Sequence, residues 1–276
     1  MIEAKVVAHS VAHDDHGNHG PELFTLAIKY PRFIHSEFMT HRVFSRNAAS
    51  SRAIPVSKMI EQVRNDPAMP IYWGSNKPGM QAGEELVDND LAMVKNLWLD
   101  AAENAAATAE KMQELGLHKQ VANRVLEPFQ IMQTVVTATE WDNYFMLRIS
   151  EFAQPEIKAL AVAMKEAMDS STPRQTPYGE YHVPFVTDEE RDEFKARKDW
   201  KTLCLVASAR CARVSYLNHD GTNPDIAKDI ELATKLKDAY HASPFEHVAR
   251  PLDLLDIQGV NRNFKEWAQF RAELGL

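Results

Sequence analysis

MTHRVFSRNAASSRAIP, residues 39–55, carries Arg42, Arg46 and Arg52 together with one histidine, three serines and an asparagine, and no acidic residue. So much local positive charge stands out in a chain of 276 residues whose net charge is -8. One reading is a solvated helix face whose serines cap a turn, the ordinary fate of a charge run. The other is a sharp turn at NAASS that aims side chains and backbone N–H groups at a bound anion. Small Ala and Ser residues let a ligand approach the backbone, and arginine offers planar bidentate donors suited to phosphate and pyrimidine carbonyls. Composition alone leaves both open.

The remaining totals narrow the field. Apolar residues make up 45% and charged residues 25%, an ordinary globular balance in a chain long enough to bury a sizeable core. The acidic pI of about 5.8 argues against bulk nucleic-acid binding, so any anion must be held by a local cluster. Cys204 and Cys211 lie two helical turns apart in one helical pattern, too far for a disulfide, and read as reduced core thiols of a cytoplasmic protein. No apolar run reaches a membrane span, and the N-terminal residues lack the layout of a signal peptide.

Along the chain, AKVVAHSVA and ELFTLAIKYP read as a hairpin joined by the turn-rich HDDHGNHGP. His9, His13, His16 and His19 raise the idea of a metal site, but a polar turn with scattered histidines reads better as a solvated loop. RFIHSEFMTHRVFS has helical spacing, and VSKMIEQVRND predicts a short helix after Pro55. Residues 66–88 form a Pro- and Gly-rich surface connection, followed by a long amphipathic helix from about 89 to 115 that Gly116 closes. HKQVANRVLEP predicts a short helix, FQIMQTVVTAT a strand, and TEWDNYFMLRI a helix opened by a Thr139/Asp142 pair resembling a capping box. Residues 171–200 read as a connector with an exposed helix, and the tail 251–276 ends in an exposed or subunit-contacting helix. Helices dominate and strands are few, which gives an α+β class and one domain over 1–276.

Two further stretches concentrate chemistry. YHASPFEH, 240–247, reads either as a helix stop with Ser243 capping a new turn at Pro244, or as His241, Ser243 and Glu246 gathered to hold a flat polar cofactor. A zinc site of two histidines and Glu246 is the weaker option. In TEWDNYFMLRI, Asn143 and Arg148 stand five apart, about 140° around a helix, and flank anything lying across its end. The helix dipole alone accounts for Arg148 there, though not for Asn143.

Taken together, these stretches resemble the flavin-dependent thymidylate synthase family. Its motif R-H-R-x-x-S-x-N-x-x-S-x-R is matched by His41, Arg42, Ser45, Asn47, Ser50 and Arg52, with Thr40 at the first arginine. The H-x-S/T-P-F-E-H turn is matched at 241–247, ARVSY at 212–216 matches a block that precedes it, and VANRVLEP, Asn143, Arg148 and AQPEI follow the family's other signatures. The matched blocks cover roughly 23–55, 116–165 and 204–248. Their order differs: PFEH comes last here and first in the family, as a circular permutation would leave it. The segment 241–250 is then expected beside the strand near Leu23, in the same chain or a neighbouring subunit.

The resemblance implies helices packed on a small, mostly antiparallel sheet. It also implies reductive methylation of dUMP, or a related pyrimidine nucleotide, at C5, with FAD as cofactor and NADPH and methylenetetrahydrofolate as co-substrates. On it, Arg148 and Ser50 are catalytic; His41, Arg42, Ser45, Asn47, Asn143, Ser215, His241, Ser243 and Glu246 line the flavin; and Ser50, Ser51, Arg52, Arg124 and Arg148 hold the nucleotide. No metal is implied, and a homotetramer with shared sites is. Thr40, Ala48, Asn123 and Phe152 depart from the family, mostly at nucleotide-facing positions. Transfer of a hydroxymethyl group to another pyrimidine, or flavin binding without turnover, are the alternatives, and a nucleic-acid-binding module is a third that the pI opposes.

Overall fold

The computed structural model describes residues 2–13, 19–215, 222, 225–252, 256 and 259–276. The expected loop around His16 lies outside them. β1 (Glu3–His13) and β2 (His19–Pro31) pair antiparallel, with register shifts between Val6 and Ala8 and between Val11 and His13. A short 3₁₀ turn, Arg32–Ile34, leads into a single α-helical turn, α1 (His35–Phe38). The helical spacing of residues 32–45 therefore overstates the helix. The chain leaves it at Met39 and enters β3 (Ser45–Ala48), because the strand edge beside it needs a partner.

That edge belongs to β4 (Ile131–Ala138), which pairs antiparallel with both β3 and β2. β5 (Arg174–Pro177) adds in parallel to β1 and completes the order β3-β4-β2-β1-β5. The supposed connector at 171–200 thus supplies a strand. Its helix, α7 (Asp188–Ala196), buries Phe194 and carries a full capping box from Thr187 and Glu190. Of the remaining helices, α2 (Val56–Asn65), α3 (Asp88–Glu114) and α4 (Lys119–Ala122) pack around Ala102, Ala106 and Ala109. A 3₁₀ segment, Asn123–Phe129, continues α4 with Pro128 inside it. α5 (Asp142–Arg148) follows β4 directly; its N-cap is Trp141, and the Thr139 hydroxyl instead accepts from the Lys265 N–H at 3.0 Å, so no capping box forms.

β2 is buried on both faces. Phe24, Leu26, Ile28 and Tyr30 face α6 (Pro155–Asp169) through Ile157, Leu160, Ala161 and Met164. Ala27, on the alternate positions, meets Cys211 and Val214 at the end of α8 (Trp200–Arg213). α8 packs on α9 (Ile226–Asp238), held by a buried cluster in which Arg210 bonds Asp229 at 3.0 Å and Glu190 at 2.7 Å. The sequence expects an exposed helix at the C-terminus; the structure corrects this. β6 (Ala249–Pro251) and β7 (Trp267–Gln269) form a two-stranded ribbon before one turn of helix, α10 (Phe270–Glu273). Trp267 is buried against Leu23, Ala249 and Phe264, and its indole N–H donates to the Pro21 carbonyl at 2.8 Å. Segment 241–250 therefore does lie beside the strand at Leu23, within one chain.

A polar chain threads this interior. Ser10 Oγ, His182, Thr25 Oγ1, Thr137 Oγ1 and His247 Nδ1 are linked in turn at 2.8, 2.7, 2.7 and 2.7 Å. Burial keeps both histidines neutral: it pushes His182 well below the usual range and His247 to about 3. His9 is buried as well, stacked on Phe24 at 3.7 Å and bonded to Ser171, so this part of the histidine cluster is core rather than solvated loop. Cys204 and Cys211 are free and buried.

Candidate active site

The stretch 39–55 turns where its composition allows, and one local and two long-range sets of hydrogen bonds shape it. Arg46 Nη1 donates to the carbonyls of Phe38, Met39 and His41 at 3.2, 3.0 and 3.0 Å. The Asn47 amide donates to the carbonyls of Cys211 and Ala212 at 3.0 and 3.3 Å, while its oxygen accepts from the Ser243 hydroxyl at 3.0 Å. Asn123 is buried and donates to the carbonyls of Ser51 and Ile54 at 2.6 and 3.1 Å, anchoring the NAASS turn from below.

His41 is the best-defined member. Its ring meets Tyr144 edge-on at 4.8 Å, and Arg148 Nε donates to its Nε2 at 2.9 Å. Because Nε2 accepts, the ring proton sits on Nδ1. Burial, then the cations of Arg148 and Arg46, hold the imidazole down to about 4, so it is a neutral donor at any ordinary pH. Arg148 also donates to the Thr40 hydroxyl at 3.3 Å and lies 3.9 Å from Glu37. Thr40, where the family motif has arginine, is therefore a partner of Arg148 rather than a gap.

The expected residues gather in two places. A cavity of about 1060 Å³ between the 40–43 turn, α5 and the end of α6 is lined by His41, Arg42, Asn143 and Arg148, with Tyr144, Lys165 and Lys265. A smaller one of about 220 Å³ is lined by Asn47, Ser50, His241 and Ser243 among alanines. Arg148 also borders a groove of about 1290 Å³ under residues 70–82. The others stand apart from both. Ser45 is buried with its hydroxyl against Asn263 and Gln269; the Glu246 carboxylate pairs with Arg271; Arg124 pairs with Glu127 at 2.6 Å; Arg52 is exposed and its N–H donates to Ser50 Oγ at 3.3 Å. The Ser51 side chain is buried, and Ser215 follows a left-handed cap at Val214 whose φ is 59°. Tyr144, Lys165 and Lys265 hold no motif position in the sequence, and Arg46, one of its three clustered arginines, turns onto backbone carbonyls instead of a ligand cavity. An aromatic on a core-facing helix carries no signal of its own, but the second lysine lies in a tail misread as helix.

The family model described as thymidylate synthase complementing protein matches residues 4–174. The chain belongs to that family. The match to the thymidylate synthase complementing proteins takes in the arginine–serine stretch, β4, α5 and α6, whereas ARVSY and PFEH fall outside it. Among solved structures, the chain is similar to the UMP/dUMP methylase PolB from Streptomyces cacaoi bound with 5-Br dUMP, at 19% identity and a TM-score of 0.42. The likeness covers 53% of this chain and 66% of that one, just under two thirds of its length. No curated protein sequence matches the chain.

Two general findings frame the chemistry available. No group of three or more His, Cys, Asp or Glu side chains placed to hold a metal occurs among the described residues. Among those residues, too, no helix is long and apolar enough to cross a membrane.

Proposed function

We propose that this protein is a flavin-dependent enzyme that adds a one-carbon unit at C5 of a pyrimidine nucleotide. Its substrate on this reading is dUMP, with methylenetetrahydrofolate as carbon source and NADPH as reductant. The observation that carries the reading is Arg148, held at a cavity edge by a neutral His41. C5 of a uracil ring becomes reactive only when electron density is raised there. A guanidinium fixed beside the carbonyl edge stabilises the ionised ring, an electrostatic role that costs no reorganisation during reaction. His41 adds a hydrogen-bond donor without adding charge. The alternative of a thiolate adding to the ring finds no support, because burial pushes the thiols of Cys204 and Cys211 up, away from the reactive form.

The residues present suit a flavin. His41 Nδ1–H, Arg42 and Asn143 supply donors around the larger cavity, and the alanine-lined pocket of Ser50, His241 and Ser243 leaves room near the backbone. When bound, the flavin would mediate the carbon transfer and accept reducing equivalents. Exposed Arg52, beside Ser50, is the phosphate ligand on this reading.

Two separated pockets suit a site completed between subunits. Val43 and Leu147 are exposed at the larger cavity and Phe152 at the groove under residues 70–82, with Met39 and Met146 exposed as well, apolar surface that a neighbouring protomer would cover. Light scattering that reports a monomer would contradict the homotetramer. A second reading, hydroxymethyl transfer to another pyrimidine, is favoured by Asn123, which is committed to anchoring the turn where the family places a nucleotide-binding arginine. Incubation with dUMP or dCMP, methylenetetrahydrofolate and NADPH, followed by product mass, separates the readings. Unchanged masses for both nucleotides would refute the activity.

A further inference from the structure

Arg46, like Arg52, lines neither of the two cavities holding the expected residues, but unlike exposed Arg52 it is half-buried and turned onto backbone carbonyls. We propose that Arg46 is a positioning residue: its guanidinium gathers the carbonyls of Phe38, Met39 and His41 and so fixes the turn that presents Thr40, His41 and Arg42 to the larger cavity. These carbonyls lie at and just past the end of α1, where helix termini leave C=O groups without intrahelical partners and where a cation is favoured. Three carbonyl dipoles pointing at one spot repel each other unless a cation sits among them.

The turn's own bonds are sound up to Thr40, whose N–H and hydroxyl donate to Glu37 O at 3.1 and 2.7 Å, and lengthen beyond it. The His41 N–H reaches Phe38 O at 3.4 Å and the Phe44 N–H reaches His41 O at 3.3 Å, whereas Arg46 reaches His41 O at 3.0 Å. Arg46 is itself mounted on the sheet, since β3 pairs with β4 in the register Arg46↔Val136. The position of the turn is thereby referred to the rigid sheet. His41 is held at both ends, its carbonyl by Arg46 and its ring by Arg148. Burial lowers the Arg46 pKa from 12.5, opposed by the nearby Tyr30 and Glu246, and this leaves it a cation at neutral pH.

The importance of this cavity rests on the flavin reading above, but the positioning itself is measurable without any ligand. The imidazole of His41 in the full chain is expected to show one tautomer, protonated at Nδ1, by nitrogen-15 NMR. In Arg46→Ala, a mixture of tautomers is expected, with faster amide exchange from Thr40 to Phe44 and a roughly tenfold loss of FAD affinity. Guanidinium chloride at sub-denaturing concentration is expected to restore the single tautomer, which a general loss of packing would not permit. If Arg46→Ala fails to fold, Arg46→Lys serves: it keeps the charge but lacks the fork, and a partial mixture is expected. A folded variant with unchanged His41 resonances and unchanged loop exchange would overturn the role. Wild-type protein that takes up no FAD, with His41 still responding to Arg46, would refute the flavin reading and leave the positioning role standing.

Discussion

At the scale of single residues, the site turns on the pair His41 and Arg148. A neutral imidazole accepting from a guanidinium is stable only because burial and two cations disfavour its protonated form. Arg148→Met removes one of those cations and the donor to Nε2, both of which favour neutrality. The His41 pKa is therefore expected to rise from about 4 while staying below 6.5, since burial, the largest cause, remains. An NMR titration that leaves it at about 4 would show that Arg148 does not govern the ring. The sequence made this pair visible, because both residues sit in dense motifs. It could not show that Thr40 and Glu37 complete the Arg148 environment, nor that Ser45 and Glu246 are spent on the tail through Asn263, Gln269 and Arg271. Those partners lie more than twenty residues away in sequence and declare themselves only once the chain is folded.

Among elements, periodicity was informative wherever an element spans several turns or pairs: the β1–β2 hairpin, β4, α3 and α6 lie where alternation or helical spacing puts them. It failed where tertiary pairing overrides local pattern. The helical spacing of residues 32–45 runs past Phe38, yet the chain there becomes a turn and then edge strand, because β4 offers hydrogen bonds on that side. The tail fails in the same way: WAQ is too short to announce a strand, but Pro251, Arg250 and Ala249 pair with it. Trp267 is the element's anchor. Trp267→Ala is expected to cost about 3–5 kcal/mol, measured by urea unfolding, because the side chain is fully buried and its N–H is satisfied by Pro21. A loss below about 1 kcal/mol would mean that the tail is not part of the cooperative core.

For the whole molecule, the chain closes on itself: the PFEH turn and the tail return to Leu23, Asn47 and Thr137 from far away in sequence. The unusual order of blocks was legible beforehand; the neutral polar chain that joins them was not. That chain has a pH signature. His182 and His247 are depressed by burial, as are His41, His9 and His35, so the unfolded chain binds protons below about 6.5 that the folded one refuses. Stability is present above that pH and falls as pH drops toward about 4, where His41 begins to titrate in the folded state. The urea midpoint is expected to drop between pH 7 and pH 5, above the range where ordinary carboxylates protonate; a flat midpoint would contradict the burial of these rings. The central claim is that the cavity of His41, Arg42, Asn143 and Arg148 holds a flavin. Its most direct test is the visible spectrum of purified protein titrated with FAD: a bound-flavin spectrum that NADPH bleaches is expected, and protein that stays colourless at saturating FAD would contradict the account.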